Sequence, residues 1–163
     1  MQPIDLSKTM TQNLESTMAS KINDMGNEVV EGFACKPKNF DPNRPIMHYK
    51  YMIFLCSDER CAKAHKTQKA DELRELLKQM GLNKGKNRIK IARSFCFGAC
   101  RFRGVAHITQ NNDTLPKNHA LWLRATHTFS LEKWQEIFEA LRDDKELHDL
   151  LEQKDFIPMK VYE

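Results

Sequence analysis

Met52-Ile53-Phe54-Leu55-Cys56 is the longest strongly apolar run of the chain, and Arg88-Ile89-Lys90-Ile91-Ala92-Arg93 follows it as a second strand-like stretch. The aromatic and apolar residues of 48–55 predict a buried strand. The polar and apolar alternation of 88–93 predicts another strand. Between them a helix is predicted over 71–80, with one apolar face made of Leu73, Leu76, Leu77 and Met80. These elements form a predicted β-α-β unit.

A hairpin and a closing helix are predicted after this unit. Residues 105–109 and 120–124 are typical of strands, and Asn111-Asn112-Asp113 with Pro116 supplies turn residues between them. Ser130 is a suitable N-cap for a last helix, whose apolar face consists of Trp134, Ile137, Phe138 and Leu141. The order β-α-β, hairpin, helix is that of an α/β thioredoxin-like sheet with flanking helices, which is the predicted fold.

The first third of the chain is predicted to be a separate piece. Apolar residues within 11–31 are spaced as one stripe of a helix. Three prolines then fall within residues 37–45 and forbid regular structure there. We therefore expect an N-terminal helical extension with a Pro-rich linker over residues 1–45 and a thioredoxin-like domain over residues 46–163.

The composition is that of an ordinary globular protein. The chain has 163 residues, of which 40% are hydrophobic and 29% charged, enough for one core. No apolar run approaches the roughly 18–20 residues that span a bilayer, and the N-terminus lacks the pattern of a secretion signal. These features predict a cytoplasmic protein without a membrane partner, in a compartment where thiols stay reduced.

Four of the five cysteines fall into two close pairs. The spacing is Cys56-x4-Cys61, then 34 residues, then Cys96-x3-Cys100. Because Cys56 and Cys96 are each predicted to end a strand, parallel pairing of those strands would bring four thiolates from two loops to the same sheet edge and create a four-thiolate site. Such a site suits an iron–sulfur cluster or zinc, and free or disulfide-linked thiols remain an alternative. Cys35 lies outside this group and is expected to be an ordinary free thiol.

The residues around the cysteines carry a family resemblance. The strings Phe54-Leu55-Cys56-Ser57-Asp58-Glu59-Arg60-Cys61 and Ser94-Phe95-Cys96-Phe97-Gly98-Ala99-Cys100 resemble the thioredoxin-like [2Fe–2S] ferredoxins. The spacing is also similar to that of the thioredoxin-fold [2Fe–2S] subunit of respiratory NADH dehydrogenase and NAD-linked hydrogenases. Over about residues 48–142, the resemblance implies a one-electron carrier whose [2Fe–2S] cluster is held by Cys56, Cys61, Cys96 and Cys100, and a homodimer as in free-standing members. Phe95, Phe97 and Phe102 are expected to cover the site.

Other functions remain open beside this one. Both cysteine spacings fall within the range of structural zinc sites, so a zinc-binding four-cysteine interaction module is one alternative. An accessory subunit of a larger redox complex is another. A C-x-x-C motif is absent, which argues against thiol exchange, and no Gly-rich dinucleotide loop is present. Since a carrier transforms no substrate, we expect no enzymatic activity.

The charge of the chain is concentrated around the cysteines. Residues 60–103 hold thirteen Lys or Arg residues and three acids, whereas the whole chain has a net charge of +4. Lys63, Arg101 and Arg103 would steer an acidic redox partner to the site. The basic run 84–90 lacks interleaved aromatic residues, so nucleic-acid binding is not expected. The six histidines are interpreted as surface or strand residues, because none is paired with another at ligand spacing.

Overall fold

The computed structural model describes residues 21–22, 27–34, 36–39, 48–111, 117–160 and 162. The chain divides into two compact units, Met1–Pro42 and Asn43–Glu163.

The second unit is built on a mixed four-stranded sheet. Its strands are β1 (Tyr51–Cys56), β2 (Ile89–Ser94), β3 (Ala106–Gln110) and β4 (Leu121–Leu123), arranged in the order β2-β1-β3-β4. β1 and β2 are parallel, whereas β3 is antiparallel to both of its neighbours. The helices are α1 (Glu59–His65), α2 (Lys69–Gln79), α3 (Leu131–Arg142) and α4 (Leu147–Leu150). This β-α-β unit with an added hairpin and helix confirms the predicted thioredoxin-like α/β fold.

Successive side chains of β1 point to opposite faces of the sheet and therefore belong to two different apolar clusters. Tyr51, Ile53 and Leu55 of β1 are at most 1% exposed and belong to the large core, together with buried residues of α2 and α3. Cys56 points away from them, as successive residues of a strand do, and belongs to a second, smaller cluster. The large core stabilises the fold, and the small cluster surrounds the cysteines.

The two long helices form where the sequence predicts them. α2 buries Leu73 and Leu77 in the core and packs against β2 and α3. α3 begins directly after Ser130, whose side-chain oxygen accepts a hydrogen bond from the Lys133 backbone N–H at 3.1 Å. The predicted N-cap is therefore confirmed.

Side chains and the C-terminal segment cover the outer strands. The Arg74 guanidinium donates to the Ile91 carbonyl on β2 from two nitrogens, at 3.3 and 3.1 Å. Alongside β4, the Ile157 N–H donates to the Trp122 carbonyl at 2.8 Å. These contacts occupy backbone groups that an open sheet edge would expose.

Two sequence-based predictions need correction. The helix predicted over residues 11–31 is wrong in its described part, because Ile22 bridges to Glu28 and Val29 to Pro37 in antiparallel pairs. Residues 11–20 and 23–26 of that prediction lie outside the described residues. Conversely, α1 was not predicted. No helix in the described part of the chain is long and apolar enough to cross a membrane.

Candidate metal centre

The parallel pairing of β1 and β2 brings the cysteine-bearing segments to one edge of the sheet. Cys56 is the last residue of β1 and lies opposite Ser94, the last residue of β2. The Ser57 N–H donates to the Ser94 carbonyl at 2.9 Å, so the two segments stay joined where they leave the sheet. Cys96 follows two residues beyond β2 rather than ending it.

The other two cysteines occupy short helical turns. Cys61 lies in the first turn of α1, and Cys100 begins a 3-10 turn that ends at Phe102. The expectation that all four thiols come from loops is therefore wrong for Cys61. A helix holds this side chain more rigidly than a loop would, since its backbone is fixed by intrahelical hydrogen bonds.

The four thiols differ in exposure. Cys56 and Cys61 are each 2% exposed, whereas Cys96 is exposed and Cys100 is partly buried. Cys96 Sγ and Cys100 Sγ lie 3.0 Å apart, and the Gly98 N–H points to Cys96 Sγ at 3.3 Å. The site therefore has one buried pair and one pair at the surface.

The two pairs of thiols influence each other's pKa values. The pKa of Cys56 is raised to about 11, first by burial and then by the neighbouring Cys61 and Cys96 side chains. The pKa of Cys100 is raised, first by its contact with Cys96 and then by burial, with the charges of Cys96 and Cys61 adding to the effect. The pKa of Cys96 is lowered, mainly because its sulfur accepts from Cys100. Each pair thus senses the charge of the other.

An apolar cover surrounds the buried pair. Val105 is buried with Cys56 and Cys61, and partly buried side chains pack around them, namely Phe97, Ala99, Phe102, Trp122 and Ile157. The Phe97 and Trp122 rings meet edge to face at 5.1 Å. Phe95, which the sequence analysis placed in this cover, is 89% exposed instead.

A set of four thiols suits either a zinc ion or a [2Fe–2S] cluster. Among the described residues, no three His, Cys, Asp or Glu side chains meet closely enough to hold one metal ion. The thiols are arranged as two neighbouring pairs instead. A mononuclear zinc site needs four donors around one ion, whereas a [2Fe–2S] cluster binds two thiolates on each of two irons. Two pairs of thiols are the donor set that such a cluster takes.

His65 is a buried polar residue of this region, contrary to the prediction of a surface or strand position. It lies at the end of α1 and is only 7% exposed, not a surface residue. Its ring meets the His127 ring edge to face at 6.4 Å. Burial lowers the pKa of His65 to about 4, and the charge of Lys69 contributes. One histidine in a short unpredicted helix gives no periodic signal that would have revealed this.

The remaining predicted residues take simpler positions. His107 lies on β3, and its ring contacts the Trp122 ring with centroids 4.1 Å apart and the planes tilted by 31°. In the basic run 84–90, Lys84 and Lys86 are exposed as expected, but Arg88 is buried and donates to the His48 carbonyl at 3.0 Å. Cys35 lies outside the described residues.

Comparison with known proteins gives a distant structural likeness. No protein-family model matches the chain, and no curated protein matches it in sequence. Among solved structures, the chain is similar to a thioredoxin-like [2Fe-2S] ferredoxin from Aquifex aeolicus, with a TM-score of 0.44 and 18% sequence identity over 67% of this chain and 97% of that one.

Proposed function

We propose that this protein is a one-electron carrier that holds a [2Fe–2S] cluster on Cys56, Cys61, Cys96 and Cys100. The observation that carries the proposal is the meeting of two thiol pairs at the carboxyl ends of parallel strands β1 and β2. When bound, the cluster supplies one-electron redox chemistry. The four thiols must be deprotonated to hold it, so loading releases protons.

The surroundings of the thiols support electron exchange rather than substrate chemistry. Cys56 and Cys61 lie in an apolar cluster that keeps water away, and burial is one of the factors that set a cluster potential. Cys96 and Cys100 lie at the surface, where a partner protein approaches. The Gly98 N–H directed at Cys96 Sγ is the kind of hydrogen bond to sulfur that tunes such sites.

The partner that suits this site is an acidic redox protein. Arg60 lies near enough to influence Cys100 electrostatically, and Arg101 and Arg103 are exposed beside it. A positive surface around an exposed electron-transfer site attracts acidic partners over long range. Homodimerisation and a place in a larger redox complex stay predictions. Co-purification with a flavoprotein would favour the complex.

The test is a spectrum and metal analysis of anaerobically purified protein. We expect red-brown protein with about two irons and two sulfides per chain, bleached by dithionite. Cys61→Ala should lose the visible bands, because it removes a buried ligand, while the matched variant Cys35→Ala should keep them. Colourless protein that contains stoichiometric zinc, and that cannot be reconstituted with iron and sulfide, would overturn the proposal in favour of the zinc module.

A further inference from the structure

Trp122 is the part of the apolar cover that a strand of the sheet contributes. In β4, Leu121 packs against the large core and Leu123 is buried in it. Because successive strand residues point to opposite faces, the indole between them lies on the other face and packs against the small cluster that contains Cys56 and Cys61. The Trp122 side chain is partly buried, so it stands between these thiols and the solvent.

The other aromatic rings of the cover belong to the segment that carries the surface thiols. Phe97 lies between Cys96 and Cys100 in the chain, and Phe102 follows two residues after Cys100. The Phe102 ring is also in contact with a cation, because the Arg124 guanidinium lies 4.9 Å from its centroid. Loops are more mobile than the sheet that supports them. The indole on β4 is therefore the fixed wall of the cover.

Contacts from three segments hold the indole in this position. His107 lies directly opposite Trp122 in the β3–β4 pairing, and the two ring centroids are 4.1 Å apart. The Phe97 ring meets the indole edge to face at 5.1 Å. The Trp122 carbonyl accepts from the Ile157 N–H at 2.8 Å, and the Ile157 side chain packs in the same cover. Aromatic pairs of this geometry are favourable, so the ring is well placed to exclude water.

From these contacts we propose that Trp122 is a positioning residue that keeps water from Cys56 and Cys61 and thereby lowers the reduction potential of the site. This inference rests on the proposed function, because a reduction potential requires the cluster. Reduction adds a negative charge to an already anionic set of thiolates and sulfides. An apolar surrounding disfavours the more highly charged form, so removal of the indole should raise the potential.

The first measurement is the midpoint potential of the iron-loaded protein, followed by its visible bands during a redox titration. Trp122→Ala should keep the bands, because all four cysteines remain, and should raise the midpoint potential. Trp122→Phe retains a ring in the cover and should restore most of the parent value. Phe95→Ala is the matched control, because Phe95 is an aromatic residue beside a cysteine but is 89% exposed. It should leave the potential unchanged.

Alkylation of the reduced, iron-free protein measures the shielding without the cluster. Iodoacetamide should modify Cys61 about tenfold faster in Trp122→Ala than in the parent, the factor that corresponds to about 1.4 kcal/mol, with the modified cysteine located by mass spectrometry. Ser130→Ala controls for a general loss of stability, because it removes the cap of α3, and it should change the rate far less. Trp122→Leu keeps an apolar side chain on β4 and should show the same change in smaller measure, which preserves the test if the alanine variant does not fold.

The two measurements separate this inference from the proposed function. If Cys61 reacts at the same rate in the parent and in the Trp122 variants, or equally fast in Ser130→Ala, the shielding role is overturned whether or not iron binds. If the rate rises in protein that takes up no iron and sulfide, the shielding role stands and the proposed function alone is overturned. A loaded Trp122→Ala protein with an unchanged or lowered potential overturns the effect of the indole on the potential.

Discussion

Gly104 is the residue that fixes the chain where it turns from the cysteine loop into β3. Its φ is +53°, and a Cβ built there would lie 2.7 Å from the His127 backbone nitrogen and 2.9 Å from His127 Nδ1. The Thr126 N–H donates to the Gly104 carbonyl at 3.0 Å. This close approach locks the loop onto the turn beside α1.

Replacing Gly104 by alanine should destabilise the fold strongly. Left-handed backbone costs an L-residue about 1–2 kcal/mol, and the contact with His127 adds an overpacking cost of about 1–3 kcal/mol. We expect a loss of about 3 kcal/mol in the free energy of unfolding, measured by urea denaturation. Gly85→Ala is the control, because Gly85 also has positive φ but open space around it. Its expected cost is about 1 kcal/mol, and equal costs would refute the packing argument.

His65 should make the stability depend on pH. Its pKa of about 4 in the fold lies below the ordinary value of 6.5. Between these values the unfolded chain binds a proton that the folded chain does not, so stability falls as the pH is lowered from 6.5 towards 4. Because of this residue, we expect the free energy of unfolding to be about 2 kcal/mol lower at pH 5 than at pH 7.

The comparison with His65→Phe isolates this contribution. Other groups, including His107 with its pKa lowered by burial, titrate in both proteins and cancel in the difference. The variant should therefore lose less stability than the parent between pH 7 and pH 5. Parallel pH profiles for the two proteins would mean that His65 protonates freely in the fold.

Ser130 caps the start of α3 with one side-chain hydrogen bond, and replacing it measures what that bond contributes to the stability of the helix. Ser130→Ala leaves the Lys133 N–H without its side-chain acceptor and should cost about 1 kcal/mol in unfolding free energy. Ser130→Asp keeps an acceptor and should stay within about 0.5 kcal/mol of the parent. If thermal or urea denaturation places both variants together, the cap does not stabilise α3.

Asn118 connects the β3–β4 hairpin to the start of α4 through two hydrogen bonds. Its side chain accepts from the Leu147 N–H at 2.8 Å and donates to the Lys145 carbonyl at 2.7 Å, and the residue is fully buried. Asn118→Ala leaves both backbone groups unpaired and should cost about 3 kcal/mol. The half-buried Asn83 provides a control variant to alanine, expected to lie within about 0.5 kcal/mol. A small cost at Asn118 would indicate that water replaces both hydrogen bonds.

Elements with a repeating pattern were predictable from sequence, and the others were not. α2 and α3 have apolar stripes and clear boundaries, so they were found nearly to the residue. α1 is 7 residues long, has no side-chain cap and follows the strand after two residues, so nothing in its sequence distinguishes it from a loop. The N-terminal stripe had helical spacing, yet Val29 pairs with Pro37 instead, because tertiary pairing outweighs propensity.

For the candidate site, spacing located the cysteines but not their environment. The carboxyl ends of neighbouring parallel strands lie at the same edge of a sheet. Two cysteine motifs at strand ends were therefore enough to predict that Cys56 lies near Cys96. Which thiols are buried depends on distant residues such as Trp122 and Ile157. The burial of His65 likewise depends on the packing of α1 against the turn that carries His127. Contacts of this kind leave no local pattern in the sequence.

At the scale of the whole molecule, the charge is polarised along the chain. Residues 60–103 contain ten more basic than acidic residues, although the net charge is only +4. Arg101 and Arg103 are exposed in the turn that follows Cys100. Lys78 lies at the far end of α2, and since α2 links the carboxyl end of β1 to the start of β2, that end lies at the opposite sheet edge.

This polarity predicts that small redox reagents distinguish the two edges by charge. The dithionite-reduced protein should be oxidised by ferricyanide, an anion, more slowly as salt is raised, because ions screen the attraction beyond about 10 Å at 0.1 M. A cationic cobalt phenanthroline complex should show no such decrease. Stopped-flow rates measured over a salt series give both slopes.

Charge reversal then tests where the attraction arises. Arg101→Glu should lower the ferricyanide rate at low salt and flatten its salt dependence, because the variant changes the local charge by two units beside the exposed thiols. Lys78→Glu makes the same change in net charge at the opposite edge and should alter the rate far less. Equal effects of the two variants would mean that net charge alone governs the encounter, and the basic edge would then have no role in choosing an acidic partner.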